Sequence, residues 1–201
     1  MNRTIKLRNF WFLAVLFMLV NCAKTMEINL PGFSYLDKKI SLNVAAIDII
    51  DETTTDPKTV SYQMVPSSMA PILKEWAEKR FTASGSRGKA TIRFKEAQTI
   101  EEGLLDEKDI HVLLNSSAPA HFGANVHVVL EVQDTPTYST GKTEATLLRK
   151  VEVASDIKLA FRGRLWQQFS QNFMNAFDEQ MVLNIQTYLP QLLNLGEVSS
   201  L

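Results

Sequence analysis

The sequence predicts an α+β domain in the order β-α-β-β-β-α: a mostly antiparallel sheet with two helices on one face, the second helix long and C-terminal. Three observations predict it. Apolar residues alternate at period two in four stretches, they recur at steps of three and four in two others, and the helical stretches stand outside a run of three consecutive strands. The chain has 201 residues, enough for one domain, and its 45% hydrophobic and 21% charged composition excludes a disordered or collagen-like chain.

From Ile40 the first strand sets Ile40, Leu42, Val44 and Ala46 against Ser41, Asn43 and Ala45. Apolar parity then moves to Ile47 and Ile49, which implies a bulge or a strand end near Ala46. Asp51 to Pro57 is a polar loop. Ser67 or Ser68 supplies an N-cap and Pro71 fits a first helical turn. That helix lines up Ile72, Leu73, Trp76, Ala77 and Phe81, with Lys74, Glu75, Glu78 and Lys79 opposite in two i,i+4 pairs of opposite sign. Gly85 and Gly88 are expected to stop it.

A second strand alternates Ala90, Ile92 and Phe94 against Thr91, Arg93 and Lys95. Gln98 to Ala120 is acidic, with an apolar island at Ile110–Leu114, and reads as a long loop or imperfect hairpin. The clearest strand carries Val126, Val128, Leu130 and Val132 inward, with Asn125, His127 and Glu131 outward. Asp134-Thr135-Pro136 and Gly141 turn the chain. A fourth strand follows with Ala145, Leu147, Val151 and Val153 against Thr146, Lys150 and Glu152. The last helix, from about Asp156 to Leu189, bears Trp166, Phe169, Phe173, Phe177, Met181, Ile185 and Tyr188 on one stripe that packs across the sheet.

The N-terminus reads as an address. Arg3, Lys6 and Arg8 precede an uncharged apolar run, Phe10 to Val20, too short for the roughly 20 residues of a membrane span and fitted to a secretory signal. The run ends at Leu19-Val20-Asn21-Cys22, which resembles the bacterial lipobox, with cleavage between Asn21 and Cys22. Asn21 departs from the small residue usual there. The resemblance implies covalent diacylglycerol and a fatty acyl chain (such as palmitate) on Cys22, the single cysteine, and two or three such chains hold a protein stably on a membrane. It also implies, from Ala23 after the cysteine, the outer rather than the inner membrane. The expected divisions are a signal peptide at 1–21, a lipidated cysteine and tether at 22–39, and one periplasmic domain at 40–201. Loss of Arg3, Lys6 and Arg8 lowers the basic count from 21 to 18 against 22 acidic residues, so the mature chain carries −4. Nucleic acid is not an expected partner.

Catalytic and metal motifs are sparse. The histidines His111, His121 and His127 form no H-E-x-x-H pattern, and one cysteine excludes disulfide and cysteine–zinc scaffolds. Ser84-Gly85-Ser86-Arg87-Gly88-Lys89 lacks phosphate-loop spacing and follows a helix, so it reads as a turn. Glu101, Glu102, Asp106, Glu107 and Asp109 lack calcium-loop spacing and read as a solvated acidic loop. No cofactor, metal or enzymatic activity is expected.

Three stretches carry a family resemblance: Leu42–Asp51 (LNVAAIDIID), Ile72–Ala97 (ILKEWAEKRFTASGSRGKATIRFKEA), and Ala145–Met181 with Leu165-Trp166 and Phe177-Asp178-Glu179. They resemble a family of uncharacterised bacterial envelope lipoproteins of alphaproteobacterial type. More distantly, the fold looks similar to auxiliary lipoproteins of envelope transport and lipopolysaccharide assembly. The resemblance implies a non-enzymatic accessory or scaffolding part with an envelope protein partner, facing the periplasm. The alternative is a lipid or small-ligand carrier using a cavity between sheet and helices, for which Trp76, Trp166, Phe169 and Phe173 are the candidate ligand or partner surface.

Overall fold

In the computed structural model, eight strands and helices follow one another as β1 (Ile40–Leu42), β2 (Ala46–Asp51), α1 (Ala70–Arg80), β3 (Phe81–Ala83), β4 (Lys89–Glu102), β5 (Ala120–Gln133), β6 (Thr140–Val153) and α2 (Leu159–Tyr188), closed by a 3₁₀ turn at Pro190–Leu192. The structure describes residues 33, 38–54, 66, 68–102, 120–154 and 159–193. The fold is the expected α+β arrangement. The main sheet has the order β2-β4-β5-β6, antiparallel at β4–β5 and β5–β6 and parallel at β2–β4. The parallel pair is forced by connection: α1 lies between β2 and β4 in the chain and carries it back over the sheet.

The first expected strand is two. β1 ends at Leu42, three bent residues follow, and β2 begins at Ala46, where parity was seen to shift. β1 pairs with β3 in a separate parallel ribbon, Ile40 against Phe81 through Leu42 against Ala83. Phe81 therefore belongs to a strand and not to the helical face, although its side chain is buried there against Trp76. α1 stops at Arg80, ahead of Gly85 and Gly88, which shape the β3–β4 turn instead. At Gly88 φ is +82°, and an added Cβ would sit 2.6 Å from the Thr135 Cα. Neither serine is the N-cap: that position is Met69, and Ser68, one residue earlier, accepts the Ala70 N–H at 3.0 Å while donating to the Ala97 carbonyl at 2.9 Å. Ser67 lies outside the described residues.

β4 runs on to Glu102 and pairs antiparallel with β5 from His121, so of the long loop or imperfect hairpin expected from Gln98 it is the hairpin that its two described ends form. The ladder to β5 shifts register between Phe94 and Glu96, so Lys95 is the extra residue of a bulge. Inward positions are Ala90, Ile92 and Phe94 before it, and Ala97 and Thr99 after it. The island at Ile110–Leu114 lies outside the described residues.

One core joins the helices to the sheet. α1 gives Ile72, Leu73, Trp76 and Ala77, β5 gives every second residue from Phe122 to Val132, and α2 gives Trp166, Phe169, Phe173, Phe177, Met181 and Ile185. Tyr188 leaves the expected stripe at 65% exposure, and Leu189 fills the end of the core. Phe33 is buried in the same core and the Lys38 carbonyl accepts from Arg80. The opposite sheet face carries a charge ladder. Arg93 bridges Glu52 and Glu131 at 2.6 and 3.0 Å, and Lys95 also binds Glu52.

Candidate functional site

Odd-numbered residues of β6 face the helices, because Val128 pairs with Ala145, Val126 with Leu147 and Ala124 with Arg149. Toward its C-terminal end β6 leaves α2 a gap, a cleft of about 630 Å³. Leu165, Gln168, Phe169, Asn172 and Phe173 of α2 form one wall, at steps of three and one that keep them on one helical stripe. Leu148 to Val153 form the other, and Phe122 of β5 lies at the base.

The base is aromatic. Phe122 stands 5.4 Å from Phe169 and 6.0 Å from Trp166 between ring centroids, and Phe169 stands 5.7 Å from Phe173. The rim is charged. Arg149 is the one charged side chain on the helix-facing side of β6, between Leu147 and Val151. Lys150, of even parity, turns its side chain to the opposite sheet face and donates to Glu102 Oε1 at 2.8 Å, and that hydrogen bond holds the Glu102 carboxyl below its ordinary range. Apolar contact at the base, with the Arg149 guanidinium and the Gln168 and Asn172 amides at the rim, is the chemistry this lining offers to a bound group.

The four candidate aromatics separate in space. Phe169 and Phe173 line the cleft, and Trp166 packs behind Phe169 at 5.5 Å. Trp76 lies elsewhere, between α1 and α2, edge-on to Phe81 and Phe177 at 5.2 Å each. Its indole Nε1 donates to Asp178 Oδ1 at 2.8 Å. Arg80 reaches the same carboxylate with two parallel bonds, Nε to Oδ1 and Nη2 to Oδ2, each 2.9 Å. Arg80 and Asp178 are 3% and 4% exposed, a buried bidentate pair that clips the helices together. Trp76 is thus held by a structural contact.

Cys22 and Asn21 lie outside the described residues, as do His111, Asp106, Glu107 and Asp109. Glu101 and Glu102 end β4, as part of a strand and not of a loop. His121 and His127 sit on β5, six residues apart, and His127 Nε2 stands 3.6 Å from Glu144 Oε2. Among the described residues no group of three or more His, Cys, Asp and Glu is placed to hold a metal. The Ser84–Lys89 segment is the expected turn, tied down by Arg87 donating to the Asp134 and Thr135 carbonyls. Among the described residues no helix is long and apolar enough to cross a membrane.

No family model and no curated protein matches the chain, so the three resembling stretches do not place it in a named family. Among solved structures the chain is similar to a minor lipoprotein from Acinetobacter baumannii, at 12% identity and a TM-score of 0.36, over 75% of this chain and 96% of that one.

Proposed function

We propose that the protein is a lipid-anchored component of a bacterial envelope whose folded domain serves, without catalysis, as an accessory or scaffolding part of a transport or assembly system. The observation that carries this reading is the basic start, short apolar run and Leu19-Val20-Asn21-Cys22 sequence at the N-terminus. Acylation of Cys22 supplies the membrane attachment, and the mildly acidic mature chain leaves that task to the lipid. In native protein, intact mass is expected to show loss of residues 1–21 and gain of acyl chains, and Cys22→Ala is expected to move the protein to the aqueous phase. Cleavage without added acyl mass, or an intact N-terminus, rules the anchor out. In-cell crosslinking is expected to recover one dominant envelope partner over an unrelated lipoprotein; recovery of none counts against the scaffolding role.

The β6–α2 cleft favours a second reading, a carrier of lipid or a small apolar ligand. Its aromatic base matches an acyl chain or ring, and Trp166 beside Phe169 is a built-in optical reporter. This reading expects lipid in organic extracts of the purified protein and a change in tryptophan emission on lipid addition. Clean extracts with unchanged emission reject it.

A further inference from the structure

We propose that β6 pairs with the β6 of a second copy of this chain, antiparallel about a two-fold axis centred on Leu147, to make a continuous sheet through both copies. β6 is 14 residues long and, among the described residues, stands at the edge of the sheet, and no register shift interrupts its pairing with β5. Such an edge offers a row of backbone donors and acceptors to another strand. The Glu144 carbonyl shows which residues offer them: it accepts from the Asn184 side chain at 2.7 Å, outside the β5 ladder. Both backbone groups of an antiparallel residue point the same way and alternate along the strand, so the even residues from Thr140 to Glu152 face the edge, where pairing would displace or share the Asn184 bond to Glu144.

The side chains at those even positions select a register. They read Thr140, Lys142, Glu144, Thr146, Leu148, Lys150 and Glu152. With the axis at Leu147, Lys142 faces Glu152 of the other copy, Glu144 faces Lys150, and Thr146 faces Leu148. Every opposed charge is of opposite sign, and symmetry repeats each pair. Moving the axis one residue to Thr146 sets Lys142 against Lys150. Moving it to Leu148 sets Glu144 against Glu152. Lysines on an edge ordinarily deter pairing; alternated with glutamates in this order, they repel the neighbouring registers and admit the central one. Leu148, 57% exposed at the middle of the strand, is the apolar surface the pairing covers. The proposal concerns the folded domain and does not depend on the lipid anchor.

The test uses the purified full chain in detergent. Leu147 meets its own symmetry mate at a non-hydrogen-bonded position, where Cα atoms approach to disulfide distance. Oxidation of Leu147→Cys is expected to give a disulfide-linked dimer, and the parent chain with Cys22 alone is the blank. Thr146→Cys/Leu148→Cys, at two exposed positions that do not burden the fold, is expected to link in the same way. In sedimentation, Lys142→Glu or Glu152→Lys alone is expected to weaken association about tenfold, and the double exchange to restore it. A monomer at every concentration overturns the proposal. So does a dimer that neither cysteine variant links and that the charge exchange leaves unchanged.

Discussion

The Asp178 carboxylate takes three hydrogen bonds from α1, two from Arg80 and one from Trp76. Its removal takes this bidentate carboxylate from a buried guanidinium, so Asp178→Ala is expected to cost about 3–5 kcal/mol in denaturant unfolding. Trp76→Phe keeps the ring contacts, removes one N–H from a charged acceptor, and is expected to cost less, about 1.5–3 kcal/mol. Gly88 is the other sensitive residue. Its φ of +82° and the backbone of Thr135 at 2.6 Å from a virtual Cβ make Gly88→Ala costly by at least about 1–2 kcal/mol, on conformation alone. The turn at Gly88 was readable from the sequence; the contact of Trp76 and Arg80 with Asp178 was not. Arg80 and Asp178 lie 98 positions apart, and a helix pattern records which face is apolar, not which arginine on it will find a carboxylate.

Among the elements, the long α2 and the alternation in β5 were legible because both bury one face over many consecutive residues. β4 was legible only up to its bulge. Lys95 inverts the parity, and Glu101 and Glu102 then extend a strand with residues typical of loops. The ribbon of β1 with β3 escaped because three residues give no periodicity to read. On the outer sheet face, the charge ladder makes a pH prediction. Lys95 first and Arg93 second hold the Glu52 carboxyl below its ordinary range, Lys150 does so for Glu102, and Lys142 for Glu144. A carboxylate with a lowered folded-state pKa stabilises the fold above its unfolded value, and that contribution disappears as pH falls through the folded value. Stability is therefore expected to decline below about pH 4, with a small amplitude because these groups are exposed. Glu52→Gln is expected to flatten that acid limb in thermal melts recorded across pH.

Across the whole molecule, the two helices and the sheet share one core, so truncation at the cleft is felt as stability as well as binding. Phe173, 1% exposed and in ring contact with Phe169, is expected to cost about 3–5 kcal/mol on truncation to alanine. Arg149→Ala at the rim is expected to leave the melting midpoint nearly unchanged. The pair of variants separates a loss of fold from a loss of ligand when lipid content is assayed. The cleft itself was half legible. The sequence singled out Phe169 and Phe173 by their helical spacing, while Arg149, on the inward parity of β6, became notable only once β6 was seen to be an edge strand.

The entry of the chain into the domain has a mechanical consequence. Phe33 is sunk in the core, the Lys38 carbonyl hangs on Arg80, and Arg80 is braced by Asp178 of α2. Just beyond, Leu42 accepts from Ser84 and bridges Leu193, and Asn43 donates to Leu192 at 2.7 Å. Tension pulled in from the N-terminal side thus meets α2 and the C-terminal end of the described chain before it meets the main sheet. The entry point acts as a strain-relief knot: a pull applied at Lys38 is passed through Arg80 to α2, and one at Leu42 and Asn43 to Leu192 and Leu193.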